Sequence, residues 1–533
     1  MRPIALAMSL LVGLLLVNGA ALADEADCEM GLVWEDSNGN GRQDPGERPL
    51  PGIRLWDGER LLSTDAHGRF AYPGGRDGSL SIIKPAGHAL PMRADGLPDA
   101  WVDLRSTSAT PHGHGNSAAA SAACRDFALL PRPAARDQPL EVLLFGDPQV
   151  KSMRDVDFFK RDIVEPLLGL HGAQLGITLG DLVDDRLELL PEVVRSTSSL
   201  GIPWMNVPGN HDIDLDAAND AEALRSFRQH AGPDTYAREE ANAVFIALDN
   251  VIHLPGQRPA YVGGLRADQF DFLEAYLPTL GADRLLVLAM HIPLFNTAAG
   301  DGDSFRPDDR QRLFALLARF PHVLVLSAHT HVQRQVRHDL AAGWTGAQPL
   351  HEYNVGAACG AFWSGVEDAD GIPDATMADG TPNGHARLQV HPGGRYALAW
   401  HPARDPAQTT IGLHLPKVLR QGAYPAWGVY ANVYMGEDDT LVEYRVGEGP
   451  WQAMRKVLQP DPALLVENAR DDQAEALRGY DRSPEAKPSH HLWRGSLPTD
   501  LAPGLHRVEV RAQDRWQGEQ RATTRYRLET AEP

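Results

Sequence analysis

From Leu140 onward the sequence repeats one pattern: a strand-length apolar run that ends abruptly in a short polar cluster. The runs close in "GDPQ" (Gly146 to Gln149), "GDLVDD" (Gly180 to Asp185), "PGNHD" (Pro208 to Asp212), "MHIP" (Met290 to Pro293) and "SAHTH" (Ser327 to His331). Helix-length segments such as "DVDFFKRDIVEPLLGL", "DQFDFLEAYLPTL" and "RQRLFALLARF" lie between them, and "HEYNVGAA" reads as a further strand. This alternation predicts an α/β domain with a buried sheet. Ligands of open α/β sheets collect beyond the carboxyl ends of the strands. The five clusters are therefore expected to converge on one edge, although almost two hundred residues separate the first from the last.

At 533 residues the chain is too long for one core. Residues 24–137, with "GLVWE", "GIRLWDG", "GRFAYP" and "GSLSIIKP", have the short strands and turn signals of a small β-sandwich. Residues 138–402 hold the alternating pattern. Residues 403–533 return to alternating strands and read as a second small β-sandwich. The formal net charge of −21 argues against a nucleic-acid polymer or an anionic membrane as partner, because backbone affinity needs clustered Lys and Arg. A small phosphorylated substrate stays open, since bound metal ions invert the local field.

Residues 1–23 read as a secretory signal peptide: Arg2 gives the positive start, Ile4 to Val17 the apolar core, and "ALA" (Ala21 to Ala23) the small residues of a cleavage site after Ala23. That apolar core is short for a membrane span. The expectation is a mature chain without a span, periplasmic or secreted. In an oxidising compartment Cys28 and Cys124 could pair; unrelated thiols are the alternative, and Cys359 would be the odd one.

The residue types of the five clusters suit a pair of divalent cations, since carboxylates, imidazoles and amide oxygens match Mn, Zn or Fe. Asp147 and Asp181 supply negative charge, and one carboxylate can bridge two ions about 3.5–4 Å apart. His329 and His331, two residues apart at a strand end, point to one face. Any one cluster alone is weak evidence, because "GD" is commonly a turn. The order of all five resembles the calcineurin-like metallophosphoesterases, whose pattern is D-x-H, G-D-x-x-D, G-N-H-D/E, H, then G-H-x-H. Here it reads "DPQ", "GDLVD", "GNHD", His291 and "AHTH" across roughly residues 140–355. "NVGAACGAFWSG" and the flanking β-domains look like a bacterial multidomain branch of that superfamily.

The resemblance implies a four-layer αββα core and an exported phosphoesterase that hydrolyses phosphate esters with a two-metal-activated hydroxide. Asp147 and His331 would hold the first metal, Asp181 would bridge, and Asn210, His291 and His329 would hold the second. His211 would protonate the leaving oxygen, Asp212 would orient that imidazole, and Asp184 would support from behind. A phosphodiester, nucleotide or phospholipid-headgroup substrate is the first alternative; a surface binding protein with a degenerate metal site is the second.

Two positions depart from the pattern: Ala328 replaces a glycine, and Gln149 replaces the first-metal histidine. Either Gln149 ligates through its amide oxygen, or it misses the metal and water fills the gap. As a ligand it is neutral, hard and unable to titrate, which favours Mn or Mg over Zn at the first site. The expected cofactor is two divalent ions, Mn foremost, with Fe, Zn and Mg open. A calcium ion is a further candidate in the N-terminal domain. There, "DSNGNGRQDPGE" offers Asp36, Asn38, Asn40 and Glu47 as side-chain ligands, Arg42 through its carbonyl and Asp44 through water; a metal-free Asn/Gly hairpin is the alternative. The Gly-rich loop Cys359 to Gly384 is placed to contact substrate, with Trp363 and Asn383 as its candidates, or else to cover the sheet edge.

Overall fold

The computed structural model describes residues 30–71, 79–103, 125–296, 304–404, 409–424 and 427–530. The signal segment, Cys28 and Cys124 lie outside these residues.

Two mixed sheets stack at the centre. One has the order Trp204–Val207, Leu175–Leu179, Leu140–Phe145, Gly384–Val390, Tyr396–Pro402. Its first three strands run parallel and its last two antiparallel. The other has the order Thr235–Glu239, Ala243–Leu248, Leu285–Ala289, Val323–Ser327, Leu350–Asn354, Arg334–His338. Its inner four strands are parallel and each edge strand is antiparallel. Parallel strands covered on both faces have to be apolar on both, and the runs "LGITL" and "LLVLA" are buried throughout.

Alternation then sorts the side chains. Val142, Leu144, Ile177 and Met205 point between the sheets and meet Phe245, Val287, Leu324 and Leu326. Phe145 points the other way, onto Phe159 of the helix Met153–Phe159 and onto Trp204. On the far side Leu286 and Leu288 belong to the apolar layer of Phe270 and Leu273 on the helix Ala267–Tyr276 and of Phe314 on the helix Pro307–Leu317. Each fully buried Leu or Phe contributes roughly 1.5–3 kcal/mol over exposure. The result is the four-layer αββα arrangement that the resemblance implied.

Two four-stranded sheets precede this core and enclose Val33, Leu55, Phe70, Leu80, Phe127 and Leu129. A four-stranded and a five-stranded sheet follow it, packed through Val429, Tyr444, Trp493, Val510 and Tyr526. This last region also contains a helix, Pro462–Gln473, which the expected second β-sandwich did not include. Asp461 caps it by accepting from the Ala463 amide, and proline stands in its first turn. Leu464 is its one buried residue, so it has no apolar stripe to read.

Candidate metal centre

The five polar clusters meet where the parallel strands of both sheets end. A bridge pairs Gly146 with Ala357, and the Ala358 amide donates to the Gly146 carbonyl at 2.7 Å, joining the two sheet ends. The backbone there is unusual. Asp147, Gln149, Asp181, Asp185, His329 and His331 all have left-handed φ, between +39° and +72°; among the described non-glycine residues only Ala375 joins them. Such a conformation costs an L-residue roughly 1–2 kcal/mol and persists where the surroundings over-determine it, characteristically at functional sites. Ala328 is not among them, so an alanine is accommodated where the family pattern has glycine. Gly209 is required for another reason: a Cβ there would run into the backbone nitrogen and carboxylate of Asp181.

One set of donor atoms is deeply buried. His291 donates from Nδ1 to the Leu179 carbonyl at 2.8 Å, which turns its Nε2 inward. That nitrogen lies 3.2 Å from Asp181 Oδ2, 3.0 Å from Asn210 Oδ1 and 3.1 Å from His329 Nδ1. Burial disfavours a cationic His291, yet the Asp181 and Asp147 carboxylates pull its pKa up to about 9. Burial and the neighbouring His291 push His329 down to about 3. Burial also pushes Asp181 upward, but His291 more than offsets this and holds it below the usual carboxylate range. The arrangement demands positive charge at one point and surrounds that point with lone pairs.

The second set shares Asp181. Asp147, Asp181 and His331 each present a ligand atom within 4.8 Å of the others, as do Asp181, His291 and His329. His331 Nε2 stands 3.7 Å from Asp147 Oδ1 while its Nδ1 donates to the Ala361 carbonyl at 2.6 Å. The His329 amide donates to both Asp147 oxygens at 3.2 Å. Burial, with the Asp181 charge adding to it, raises Asp147 to about 6. Gln149 donates from Nε2 to Asp184 at 3.3 Å and leaves Oε1 buried without any hydrogen-bond partner. A buried acceptor left unpaired costs roughly 1–3 kcal/mol, and a cation bound there would satisfy it. The donor set of carboxylates, imidazoles and amide oxygens fits a pair of divalent ions.

The surroundings of His211 correct the sequence reading. Asp212 does not orient its imidazole. Its carboxylate is fully buried and turned away, accepting from the amides of Gly209 (2.9 Å), Leu182 (3.1 Å) and Val183 (3.1 Å). Asp212 therefore ties the "GDLVDD" turn to the "PGNHD" turn. The partner of His211 Nδ1 is Asp185 at 2.8 Å, with Asp184 at 3.4 Å. Burial pushes the His211 pKa down, but Asp181, Asp185 and Asp184 together raise it. The His211 amide donates to Asp181 Oδ1 at 2.8 Å, so the imidazole is anchored to the shared carboxylate.

Trp363 and Asn383 do not line a substrate surface either. Trp363 is buried, donates to the Pro148 carbonyl at 2.9 Å and packs on Phe158, so its bulk fills the core under the first cluster. Asn383 is also buried and donates to Asp162 and to the Ala358 carbonyl. Both brace the loop instead of facing solvent. In the Asp36 to Glu47 loop the oxygens serve the loop's own donors. Asp36 accepts from the amides of Gly39, Asn40 and Gly41, Asp44 accepts from the side chains of Asn38 and Asn40, Glu47 accepts from Ser37 and Asp44, and the Arg42 amide donates to Asn40. Among the described residues, the groups of three carboxylate or imidazole ligands lie at the core centre, not in this loop.

Besides Asp185, four further residues at the centre escaped the sequence reading. Asn250 is buried and braces the His291 turn, accepting from the amides of His291 and Ile292; its position just past the "VFIAL" strand was the available signal. Ala361 acts through its carbonyl, which no side-chain pattern reveals. Tyr261 and Phe362 set their rings against His329 and His331.

Two family models match the chain. "Calcineurin-like phosphoesterase" covers residues 140–333 and "C terminal of Calcineurin-like phosphoesterase" covers residues 352–519. The second match starts within the strand Leu350–Asn354 and includes the two antiparallel strands Gly384–Val390 and Tyr396–Pro402, so the C-terminal region completes the catalytic sheet. Comparison with curated proteins finds no match. Among solved structures, a purple acid phosphatase from yellow lupin (Lupinus luteus) seeds is similar, at 13% identity over 67% of each chain with a TM-score of 0.39. The two family matches, together spanning more than half of the chain, and the geometry of the centre lead to one conclusion: the chain belongs to the calcineurin-like metallophosphoesterases and is a metal-dependent phosphoric ester hydrolase.

Proposed function

We propose that this chain hydrolyses small phosphate esters with two divalent ions, manganese foremost, for which Asp181 would be the shared ligand. The observation that carries the reading is the sharing of Asp181 by both ligand groups. Asn210, His291 and His329 would hold one ion; Asp147, His331 and Gln149 the other. Bound divalent cations supply Lewis-acid charge against the phosphoryl oxygens and acidify a water for attack. Hard oxygen donors, Gln149 Oε1 among them, favour manganese over zinc on the Asp147 side.

The chain's own residues do the rest. His211, whose pKa burial lowers but Asp181, Asp185 and Asp184 together raise, would deliver a proton to the departing alkoxide. Asp185 fixes the tautomer by accepting from Nδ1, which leaves Nε2–H for the leaving oxygen. Asp184 keeps the Gln149 amide turned with its oxygen free. Asp212 locks the two turns that carry Asp181 and His211. The completeness of the donor set argues against a degenerate binding protein.

The same reading includes export. Arg2, the apolar run Ile4 to Val17 and the small residues Ala21 to Ala23 support a cleaved signal and a periplasmic or secreted enzyme. Among the described residues no helix is long and apolar enough to cross a membrane. The functional test is turnover of an aryl phosphate against a bis-aryl phosphate by the manganese-loaded chain. Preferential release of phosphate from the monoester is expected. Preference for the diester would move the reading to phosphodiesters, and no turnover of either across several metals would overturn it.

A further inference from the structure

The open face of the centre carries two aromatic rings that the hydrolysis chemistry does not use. Phe362 lies 5.5 Å from the His331 ring at 61°, and 49% of it is exposed. Tyr261 lies 6.0 Å from the His329 ring at 86° and is partly exposed. Its hydroxyl makes no hydrogen bond among the described residues. A single exposed apolar residue needs no explanation. Two aromatics stand edge-on to histidines of different ligand groups, and each is still partly open to solvent.

Their placement is built into the backbone. Phe362 follows Ala361, whose carbonyl holds His331, so the ring and the ligand histidine share one support. Tyr261 opens the short strand Tyr261–Gly263, which pairs with Val251–His253 directly after the Asn250 that braces His291. The next residue along from Phe362, Trp363, already fills the core, so packing does not require a second large ring at position 362.

Charge narrows the ligand further. The charged groups that act most strongly on Asp147, Asp181, His211, His291 and His329 are all histidines and aspartates, with no lysine or arginine among them.

We propose that Phe362 and Tyr261 are specificity-determining residues that form an aromatic cleft for the alcohol portion of the substrate. The preferred esters then carry an aromatic or apolar group on a single phosphate, not a polar alcohol or a second phosphate. This rests on the phosphoesterase reading given above and names its substrate class.

The test is calorimetric titration of the full-length, manganese-loaded protein with phenylphosphonate and with methylphosphonate, alongside turnover of phenyl phosphate. The phenyl compound should bind at least about tenfold more tightly to the unaltered protein, as expected for an added aromatic contact. Phe362→Ala should remove most of that preference while manganese content stays the same, and Phe362→Leu should keep part of it. Equal binding of the two phosphonates, or a preference that survives Phe362→Ala, overturns the proposal even if phenyl phosphate is hydrolysed. Loss of manganese in both Phe362 variants also overturns it, by making the ring a prop for His331. If neither phosphonate binds and no ester is turned over, the phosphoesterase reading falls and takes the cleft with it.

Discussion

The two halves of the metal centre share Asp181 but are built to different standards. On one side His291 is fully buried, pinned by the Leu179 carbonyl at one ring nitrogen and by Asn250 through its amide. Asn210 and His329 crowd its other nitrogen. On the other side His331 is partly exposed, Gln149 is steered only by a 3.3 Å contact with Asp184, and its carbonyl oxygen waits unpaired. The difference teaches where such a centre is fixed and where it can be tuned. In the first half, His291 is fixed at both its ring and its backbone by buried partners. In the second, the Gln149 side chain has one weak contact and an unpaired oxygen, which makes it the position where the ligand type is expected to be tunable.

The largest effect expected is that of removing what the halves have in common. Asp181→Ala should strip both ions and lower the rate by several kcal/mol of transition-state stabilisation, on the order of a thousandfold or more; metal content and kcat measured together check it. Next comes the asymmetry itself. Gln149→Ala should weaken the second half alone, by about 10–100-fold in manganese affinity, as for groups that orient or complete a metal shell, while His291→Ala should abolish activity. Equal metal loss in the two variants would erase the distinction between the halves. Gln149→His should retain activity and shift the preference toward zinc, read from rates across a series of metals.

A smaller effect is expected at the proton donor. With protonated His211 as the proposed working form and its pKa raised, activity should fall as pH rises through a value above the ordinary 6.5. Asp185→Asn removes a charge that holds the proton, so the alkaline limb of kcat should move to lower pH. Asp212→Asn should instead lower thermal stability, because the carboxylate's contacts are three backbone amides. A shifted pH limb in the Asp212 variant alone would reverse that assignment. The smallest effect is expected for Ala328→Gly, which should leave the rate unchanged and cost at most about 0.5–1 kcal/mol of stability.

The spacing of polar clusters after apolar runs made the ligand residues legible, because strand ends are the one place where residues so far apart in sequence meet. The layer architecture was legible for the same reason: uniformly apolar runs alternating with helix-length segments leave few other arrangements. What escaped depends on direction within a turn. Asp212 directly follows His211 whereas Asp185 stands 26 residues before it, and only the folded backbone decides that the distant carboxylate faces the imidazole while the adjacent one faces three amides. Phe362 and Trp363 are adjacent, and their alternation sends the larger ring into the core and the smaller one to the mouth of the site. The helix Pro462–Gln473 was illegible because it buries a single residue.

The most direct measurement of the account is electron paramagnetic resonance of the protein titrated with Mn²⁺ while phosphoesterase activity is followed. A centre bridged by Asp181 predicts a spin-coupled dinuclear manganese signal that grows in step with activity and disappears in Asp181→Ala. Full activity accompanied only by isolated, uncoupled manganese signals would contradict it.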